Sequence, residues 1–299
     1  MLLSAAGDTV VRALIPASGL QVSLAVATQV AREARRRHAL QPVSAALLAQ
    51  GLTGGLLLAS LQKGESRINL QLQCDGPLSG FFVDAGAGGD VRGYTRNPSL
   101  QVELGEGAFR WRAALGNSGL LSVLRDMGTE YYRSSVELVA MDLASDLNHY
   151  FERSDQVPTR VCLDVRRDGP EGLGLVAGLL VQALPDGDAR ALERLGETLP
   201  AAFAAAVQGR TASTGRQLLA AVLPSAEFTH DYPAAFRCTC SRERVLRTLA
   251  SLGRAELQDI VDTLGSTAVT CQFCATKHEV SLPDLLQLLD QLGDKALLS

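Results

Sequence analysis

The sequence is poor in the residues that most often carry catalysis or bind nucleic acid. It has four His and one Trp among 299 residues, and its 28 Lys and Arg are outnumbered by 32 Asp and Glu. Because the His residues are scattered singly, no Ser/His/Asp or Cys/His constellation can be assembled. The net charge of -4 does not favour a phosphate-rich partner or an anionic membrane. We therefore expect no enzyme, no nucleic-acid partner and no membrane partner.

Long uninterrupted hydrophobic runs are also absent. The longest apolar stretch, residues 43–61, contains Gln50, Thr53 and three glycines, so it predicts a buried core helix and not a membrane span. Residues 1–10 carry no basic region ahead of an apolar segment, which predicts no secretory signal. The expected setting is then a reducing cytoplasm, where clustered cysteines usually bind metal or carry redox chemistry.

The sequence does contain many apolar residues, in both strand-like and helix-like patterns. Hydrophobic residues make up 46% of the chain, enough for a sizeable core and a second module. Residues 66–74 alternate between apolar and polar positions, which predicts a half-buried strand. Further strands are predicted at 81–83, 91–94, 119–124, 134–138, 159–165 and 175–181, and helices at 22–37, 44–61 and 142–152. Strands and helices without strict βαβ alternation predict an α+β fold.

These patterns divide the chain into three predicted domains. Residues 1–184 form an α+β core. Residues 185–233 form a helix-rich linker, and its Ala-rich part, 201–206, favours helix while burying little surface. Residues 234–299 form a cysteine module, with helices predicted after Ser241 and Ser281, each of which can cap a helix.

The cysteine module contains two close pairs, Cys238-Thr-Cys240 and Cys271-Gln-Phe-Cys274. Two such pairs, separated by a helical excursion, suit one tetrahedral Zn²⁺ site with four thiolate ligands. His278 is the alternative ligand, although four thiolates already fill a structural zinc shell.

Two roles for this site remain open on spacing alone. A passive zinc staple is the usual role, because metal coordination replaces a core that is too small to stand alone. A redox switch is the other role, because zinc-bound thiolates stay nucleophilic and the close neighbour of an oxidised cysteine can resolve it into a disulfide.

Several segments resemble the heat-shock protein 33 family of redox-regulated holdase chaperones. The strongest are FRCTCSRER at 236–244 and CQFC at 271–274; QLQCDGP at 71–77, VRGY at 91–94 and YFERSDQVPTR at 150–160 extend the resemblance over nearly the whole chain. It implies a zinc-bound, inactive reduced form. It also implies that oxidation forms the disulfides Cys238-Cys240 and Cys271-Cys274, releases zinc and unfolds the zinc domain and linker. The core domain would then bind unfolding client proteins and form a homodimer.

One departure is Ala275, where a knuckle turn often prefers Gly or Asn, so that either the turn differs or Ala275 is strained.

Two other functions are weighed against this one. A four-cysteine module could bind nucleic acid, but residues 234–299 carry seven Lys or Arg against eight Asp or Glu, and nucleic-acid modules are normally basic. A thiol-disulfide oxidoreductase could use Cys271 and Cys274, but a strand-like segment leads into the pair and polar turn residues follow it.

Cys74 and Cys162 fall on apolar strand faces and are interpreted as small buried hydrophobic residues. The glycine-rich loop at 84–90 is interpreted as a hairpin turn and not as a phosphate site.

Overall fold

The computed structural model describes residues 7–102, 111–128, 130–168, 172–208 and 214–296. The chain divides into two compact units, Met1–Arg237 and Cys238–Ser299. Both helices and sheets occur in each unit, so the predicted α+β class is confirmed.

The larger unit is built from two sheets and several helices. Its strands are β1 (Thr9–Ile15), β2 (Leu20–Val26), β3 (Arg67–Cys74), β4 (Gly80–Gly86), β5 (Asp90–Thr95), β6 (Gly119–Asp126), β7 (Tyr131–Glu137), β8 (Thr159–Asp168), β9 (Gly172–Ala183), β10 (Glu227–Pro233) and β11 (Ala235–Phe236). Its helices are α1 (Thr28–His38), α2 (Pro42–Ser60), α3 (Arg112–Leu115), α4 (Leu143–Tyr150), α5 (Ala189–Val207) and α6 (Gly215–Val222), and a π-helical turn, Phe151–Asp155, continues α4.

The two sheets enclose the main core between them. One sheet has the strand order β11-β5-β4-β3-β6-β7 and the other the order β10-β1-β2-β9-β8. All neighbours are antiparallel except the short β11–β5 pair, which is parallel. Helix α2 packs against strands of both sheets, while α5 and α6 cover the opposite face of the five-stranded sheet. The order of layers is therefore sheet, helix, sheet, helix.

Helix α2 is apolar on every side because sheets flank it on two sides. Among the described residues it is the one helix long and apolar enough to span a membrane, and its apolar window is entirely buried within the protein. Its glycines permit this close packing: a Cβ on Gly51 would lie 2.7 Å from the ring of Phe81, and one on Gly55 would lie 2.6 Å from Val83. The predicted buried core helix is confirmed.

Two expectations for the larger unit are wrong. Residues 22–26, predicted as the start of a helix, belong to strand β2, and the helix begins only at Thr28. Asp142 and Asp146 lie four residues apart, a helical spacing that predicts two solvent-facing acids, but Asp146 is fully buried and accepts hydrogen bonds from the backbone N–H groups of Val139, Ala140 and Asp142. Burial of a carboxylate is tolerated there because three donors satisfy it.

The predicted linker contains both helices and a strand. Helices α5 and α6 bury Leu199, Phe203 and Leu218 against the five-stranded sheet, while Ala201, Ala202 and Ala205 of α5 stay exposed. Strand β10 then pairs with β1, and β11 pairs with β5. Because residues 185–233 pack within the larger unit, their separation as a domain stays a prediction.

The smaller unit holds three helices and one hairpin in the described residues. They are α7 (Arg242–Ala250), α8 (Arg254–Leu264), β12 (Thr267–Thr270), β13 (Lys277–Val280) and α9 (Leu282–Ala296). The helices predicted after Ser241 and Ser281 are confirmed. They meet in a small apolar core, which consists of Val245, Leu249, Leu257, Val280, Leu285, Leu288 and Leu289.

Candidate metal centre

Two short segments of the smaller unit deliver the four cysteines. Cys238 and Cys240 come immediately before α7, whose N-cap Ser241 accepts a hydrogen bond from the backbone N–H of Arg244 at 3.3 Å. Cys271 follows β12, and Cys274 lies in the turn that leads to β13. The capped start of α7 therefore positions the first cysteine pair, and the β12–β13 hairpin positions the second.

The second pair forms the turn of the β12–β13 hairpin. The backbone N–H of Ala275 donates to the Cys271 carbonyl at 2.8 Å, and the N–H of Cys271 donates to the Thr276 carbonyl at 2.9 Å. Ala275 takes a φ of +57°, which is the left-handed region. The turn thus keeps the conformation that Gly or Asn usually provides, and Ala275 carries the strain, about 1–2 kcal/mol.

The four sulfurs form one cluster that suits a metal. All four Sγ atoms lie within 4.8 Å of one another, and the Cys238–Cys271 and Cys240–Cys274 sulfurs lie 3.7 and 3.4 Å apart. A tetrahedral zinc site with Zn–S bonds of about 2.3 Å has S–S edges of about 3.8 Å. The spacing and the soft donor set therefore fit one four-coordinate thiophilic ion such as Zn²⁺.

The thiols of the cluster lie close enough for the charge on one to influence the pKa of the next. Burial, reinforced by hydrogen bonds to Cys274 and Cys238, raises the pKa of Cys240, and burial also raises the pKa of Cys271. Burial acts in the same direction on Cys274, but hydrogen bonds from Thr276 and from the neighbouring sulfurs outweigh it and lower the pKa of Cys274 to about 7. One thiol therefore ionises readily by itself, whereas four adjacent thiolates need a positive charge among them.

Thr276 and His278 are among the polar side chains that contact the sulfurs, and only His278 has a role predicted from spacing. His278, the alternative ligand, places Nε2 3.5 Å from Cys240 Sγ, but the group of atoms that share the 4.8 Å cluster consists of the four sulfurs. The hydroxyl of Thr276 lies 3.2 Å from Cys274 Sγ. The side chains of Thr276 and His278 lie near the sulfurs because of the β12–β13 hairpin. Its register pairs Thr270 with Lys277, which brings the start of β13 back beside the turn that holds the second cysteine pair.

The remaining two cysteines lie in the larger unit. Cys162 is buried in its apolar core, and burial raises its pKa to about 12. Cys74 is half-buried on β3, packs against the main core, and has a pKa that burial raises. Neither thiol forms a reactive thiolate readily. The interpretation as a small buried hydrophobic residue is confirmed for Cys162, whereas Cys74 is only half-buried.

The setting of the second pair differs from that of a thioredoxin-like active site. There the first cysteine begins a helix, whose N-terminus stabilises its thiolate. Here β12 leads into Cys271 and β13 follows Cys274. The C-x-x-C segment is therefore a hairpin turn, as the strand-like residues before it indicate.

Comparison with known proteins agrees with this architecture. The family model described as Hsp33 protein matches residues 8–281. The chain belongs to the Hsp33 family. The 33 kDa chaperonin of Gloeobacter violaceus is 37% identical over 296 residues, which cover 95% of this chain and 96% of that protein. The 33 kDa chaperonin of a Cyanothece species is 35% identical over 302 residues, which cover 97% and 99% of the two chains.

A solved structure of the Hsp33 family shares the fold. The crystal structure of the 33 kDa chaperonin from Thermotoga maritima, a heat shock protein 33 homologue, superposes with a TM-score of 0.79 at 25% identity. The match covers 96% of this chain and 99% of that one. Membership of the family supports a chaperone function, and the cysteine cluster is compatible with a bound metal ion and with redox-sensitive disulfides.

Proposed function

We propose that this protein is a redox-regulated, ATP-independent holdase that binds unfolding client proteins under oxidative stress. It acts in the cytoplasm, without catalytic turnover and without a nucleic-acid or membrane partner. The observation that carries the proposal is the cluster of four cysteine sulfurs, all within 4.8 Å, in the C-terminal unit of an Hsp33-family chain. In the reduced, inactive form, Cys238, Cys240, Cys271 and Cys274 hold one Zn²⁺ ion.

The thiolates have two roles in this proposal. Bound zinc supplies the positive charge that keeps four adjacent thiols deprotonated. Each pair then remains open to oxidation by a peroxide. One thiolate attacks the O–O bond and becomes a sulfenic acid, with loss of water, and its neighbour displaces a second water to form the disulfide. Each cysteine pair thus transfers two electrons to one peroxide molecule as its disulfide forms, and two oxidised pairs can no longer hold the metal.

The pairing of the disulfides is a separate part of the proposal. Family resemblance supports Cys238-Cys240 and Cys271-Cys274, which are neighbours in sequence. The sulfurs that lie 3.7 and 3.4 Å apart belong to Cys238 and Cys271, and to Cys240 and Cys274. Proteolysis of the oxidised protein without reduction, followed by mass spectrometry, distinguishes the two patterns. We expect disulfides within each pair.

Loss of the metal is proposed to spread from the smaller unit to the linker. The smaller unit has few buried apolar residues, so it depends on its cross-link for stability. Helices α5 and α6 cover an apolar sheet face that includes Leu24, Val181 and Leu179. Unfolding of 185–233 would uncover this face for apolar segments of client proteins. The core, 1–184, would bind clients and form a homodimer.

The test is to oxidise the zinc-loaded protein with hydrogen peroxide at raised temperature and to follow three quantities. One zinc and six free thiols should become no zinc and two free thiols, those of Cys74 and Cys162. Suppression of light scattering by an unfolding client should rise in parallel. The reduced protein and a re-reduced, zinc-reconstituted sample serve as controls. If oxidation removes the zinc and aggregation suppression does not increase, the holdase proposal is wrong.

A further inference from the structure

Strand β7 is the last strand of the six-stranded sheet, and among the described residues it pairs only with β6. The backbone N–H of Leu138 donates to Gly119 O and that of Met127 donates to Glu130 O. Antiparallel strands bond at every second residue, so the even-numbered residues of β7 face β6. Tyr131, Arg133, Ser135 and Glu137 therefore direct their N–H and C=O groups away from the sheet.

The side chains of these outward residues form an ordered row on one face of the sheet. Tyr131 is 69% exposed, and Val139, just beyond the strand, is 56% exposed. Arg133 and Glu137 are exposed between them, and within the described part of the chain neither has an ion-pair partner. Four residues of strand separate them by about 14 Å, so the two charges cannot pair within one chain.

We propose that β7 pairs with β7 of a second copy of this chain, antiparallel about a two-fold axis through Ser135. Arg133 of each copy then lies directly opposite Glu137 of the other, so that one ion pair forms on each side of the axis. The row is self-complementary, as an isologous interface requires. The result is one continuous sheet through two subunits, held by main-chain hydrogen bonds and by cross-strand pairs.

The charges select this register over its neighbours. An axis through Ser134 would place Tyr131 opposite Glu137, and an axis through Val136 would place Arg133 opposite Val139. Both leave the charged groups unpaired. Registers centred between two residues would oppose outward backbone groups with groups already bonded to β6. An exposed edge strand usually carries charge to prevent pairing, and here the same charges permit a single pairing.

This inference specifies the interface of the homodimer in the proposed function and rests on it. The experiment measures dimer dissociation constants of the oxidised protein by sedimentation equilibrium. We expect Arg133→Glu and Glu137→Arg each to raise the Kd by roughly tenfold or more, because each sets like charges face to face twice. The double variant Arg133→Glu/Glu137→Arg should dimerise like the original protein. An equimolar mixture of the two single variants should form heterodimers, since their edges are complementary.

Two further variants keep the result independent of folding defects. Lys63→Glu changes the net charge by the same amount as Arg133→Glu, at an exposed position in the turn after α2, and should leave the Kd unchanged. Ser135→Pro removes an N–H that β6 does not use, so the sheet should survive while the inter-copy hydrogen bonds at the axis are lost. Circular dichroism of each variant checks the fold.

The outcomes separate this interface from the holdase proposal. Single variants that dimerise like Lys63→Glu, or a mixture that forms no heterodimer, would overturn the β7 interface. An oxidised protein that stays monomeric yet suppresses aggregation would overturn the interface and leave the holdase function standing. Zinc release and client light scattering, measured on the same samples, report the proposed function separately.

Discussion

The two units of this protein are stabilised in different ways. In the larger unit, α2 is buried between two sheets and a second apolar cluster lies beneath α5 and α6. In the smaller unit, three helices and a hairpin share a core of seven buried residues in the described part of the chain. The fraction of surface that is buried on folding increases with domain size. Apolar burial is therefore enough to stabilise the larger unit, whereas it leaves the smaller unit only marginally stable.

In the proposed function, the redox chemistry takes place in the smaller unit, whose fold depends on the cysteine cluster. The two cysteines of the larger unit have pKa values that burial raises, to about 12 for Cys162, and they make no cross-link. The four cysteines of the smaller unit form its cluster. A chemical change at these sulfurs therefore acts on a marginal fold and leaves the large core intact.

Removal of the metal is the strongest test of this comparison. Structural zinc in small modules contributes about 10–16 kcal/mol of apparent binding free energy. Treatment of the reduced protein with a tight chelator should therefore unfold residues 238–296, with loss of amide exchange protection there. Strands β1 to β9 of the larger unit should keep their protection. Hydrogen exchange followed by mass spectrometry measures both regions in one sample.

Two cysteine variants provide matched controls for the chelator. Cys271→Ser removes one sulfur of the cluster and should reproduce the unfolding at equal zinc concentration. Cys162→Ala removes a buried thiol from the larger unit and should leave zinc content at one per chain. If the amides of the smaller unit remain protected from exchange after chelation, its apolar core is sufficient for folding. The proposed difference between the two units would then be wrong.

Equal truncations in the two cores should have unequal consequences. Leu285 in the smaller unit and Leu70 in the larger unit are both fully buried. Replacement of either by Ala costs about 3 kcal/mol. If zinc leaves through unfolding of the smaller unit, Leu285→Ala accelerates chelator-driven zinc loss by about a hundredfold. Leu70→Ala should lower the thermal midpoint of the larger unit and leave the rate of zinc loss unchanged. Similar rates for both variants would contradict this.

The last strand of the larger unit offers a third test, at the point where the chain passes to the cysteines. Gly89 has a φ of +90°, and a Cβ there would lie 2.2 Å from the Pro233 carbonyl oxygen. The next hydrogen bond, from Ala235 N–H to Gly89 O, begins the β11–β5 pair. Gly89→Ala should therefore cost about 2 kcal/mol, from backbone strain and the clash with Pro233.

Gly88 is the matched control for Gly89. A Cβ on Gly88 meets nothing within 4 Å, so Gly88→Ala should be close to neutral. Exchange of the Ala235 and Arg237 amides, by NMR, reports whether β11 has detached. Equal protection in both variants would mean that the close approach of Pro233 does not hold β11 in place. The glycine-rich loop at 84–90 is thus a hairpin turn with a packing role, in accord with its interpretation from sequence.

Local patterns predicted much of the fold, and the failures have physical reasons. The alternation at β3 was sufficient because one face of that strand is buried and the other is not. Residues 22–26 of strand β2 were predicted as helix because both faces of the strand are largely buried, so that its end, residues 24–26, is apolar throughout and shows no period of two. Strand β10 has almost no buried residues and is held by backbone bonds to β1, which leave no sequence pattern.

The candidate site was more predictable than the fold around it. Two close cysteine pairs specify four sulfur donors, and the cluster follows once the chain between them is helical. Sequence spacing suggested His278 only as an alternative ligand and gave no sign of Thr276, because both contacts depend on the hairpin register and on how the two pairs meet. The same holds for Asp146, whose burial depends on the path of the loop before α4.

The smallest predicted effect concerns the turn that holds Cys271 and Cys274. Ala275 has a φ of +57°, where Gly is free of the Cβ strain that Ala carries. Ala275→Gly should stabilise the smaller unit by about 0.5–1 kcal/mol, the relieved strain less the entropy that Gly adds to the unfolded chain. Ala268→Gly is the matched control: Ala268 is an exposed residue of β12, where Gly should destabilise by a similar amount. Chelator-driven zinc loss should therefore be about two- to fivefold slower in Ala275→Gly and faster in Ala268→Gly. If both variants lose zinc faster, the left-handed turn at Ala275 is not a source of strain, and a substitution there cannot stabilise the smaller unit by relieving it.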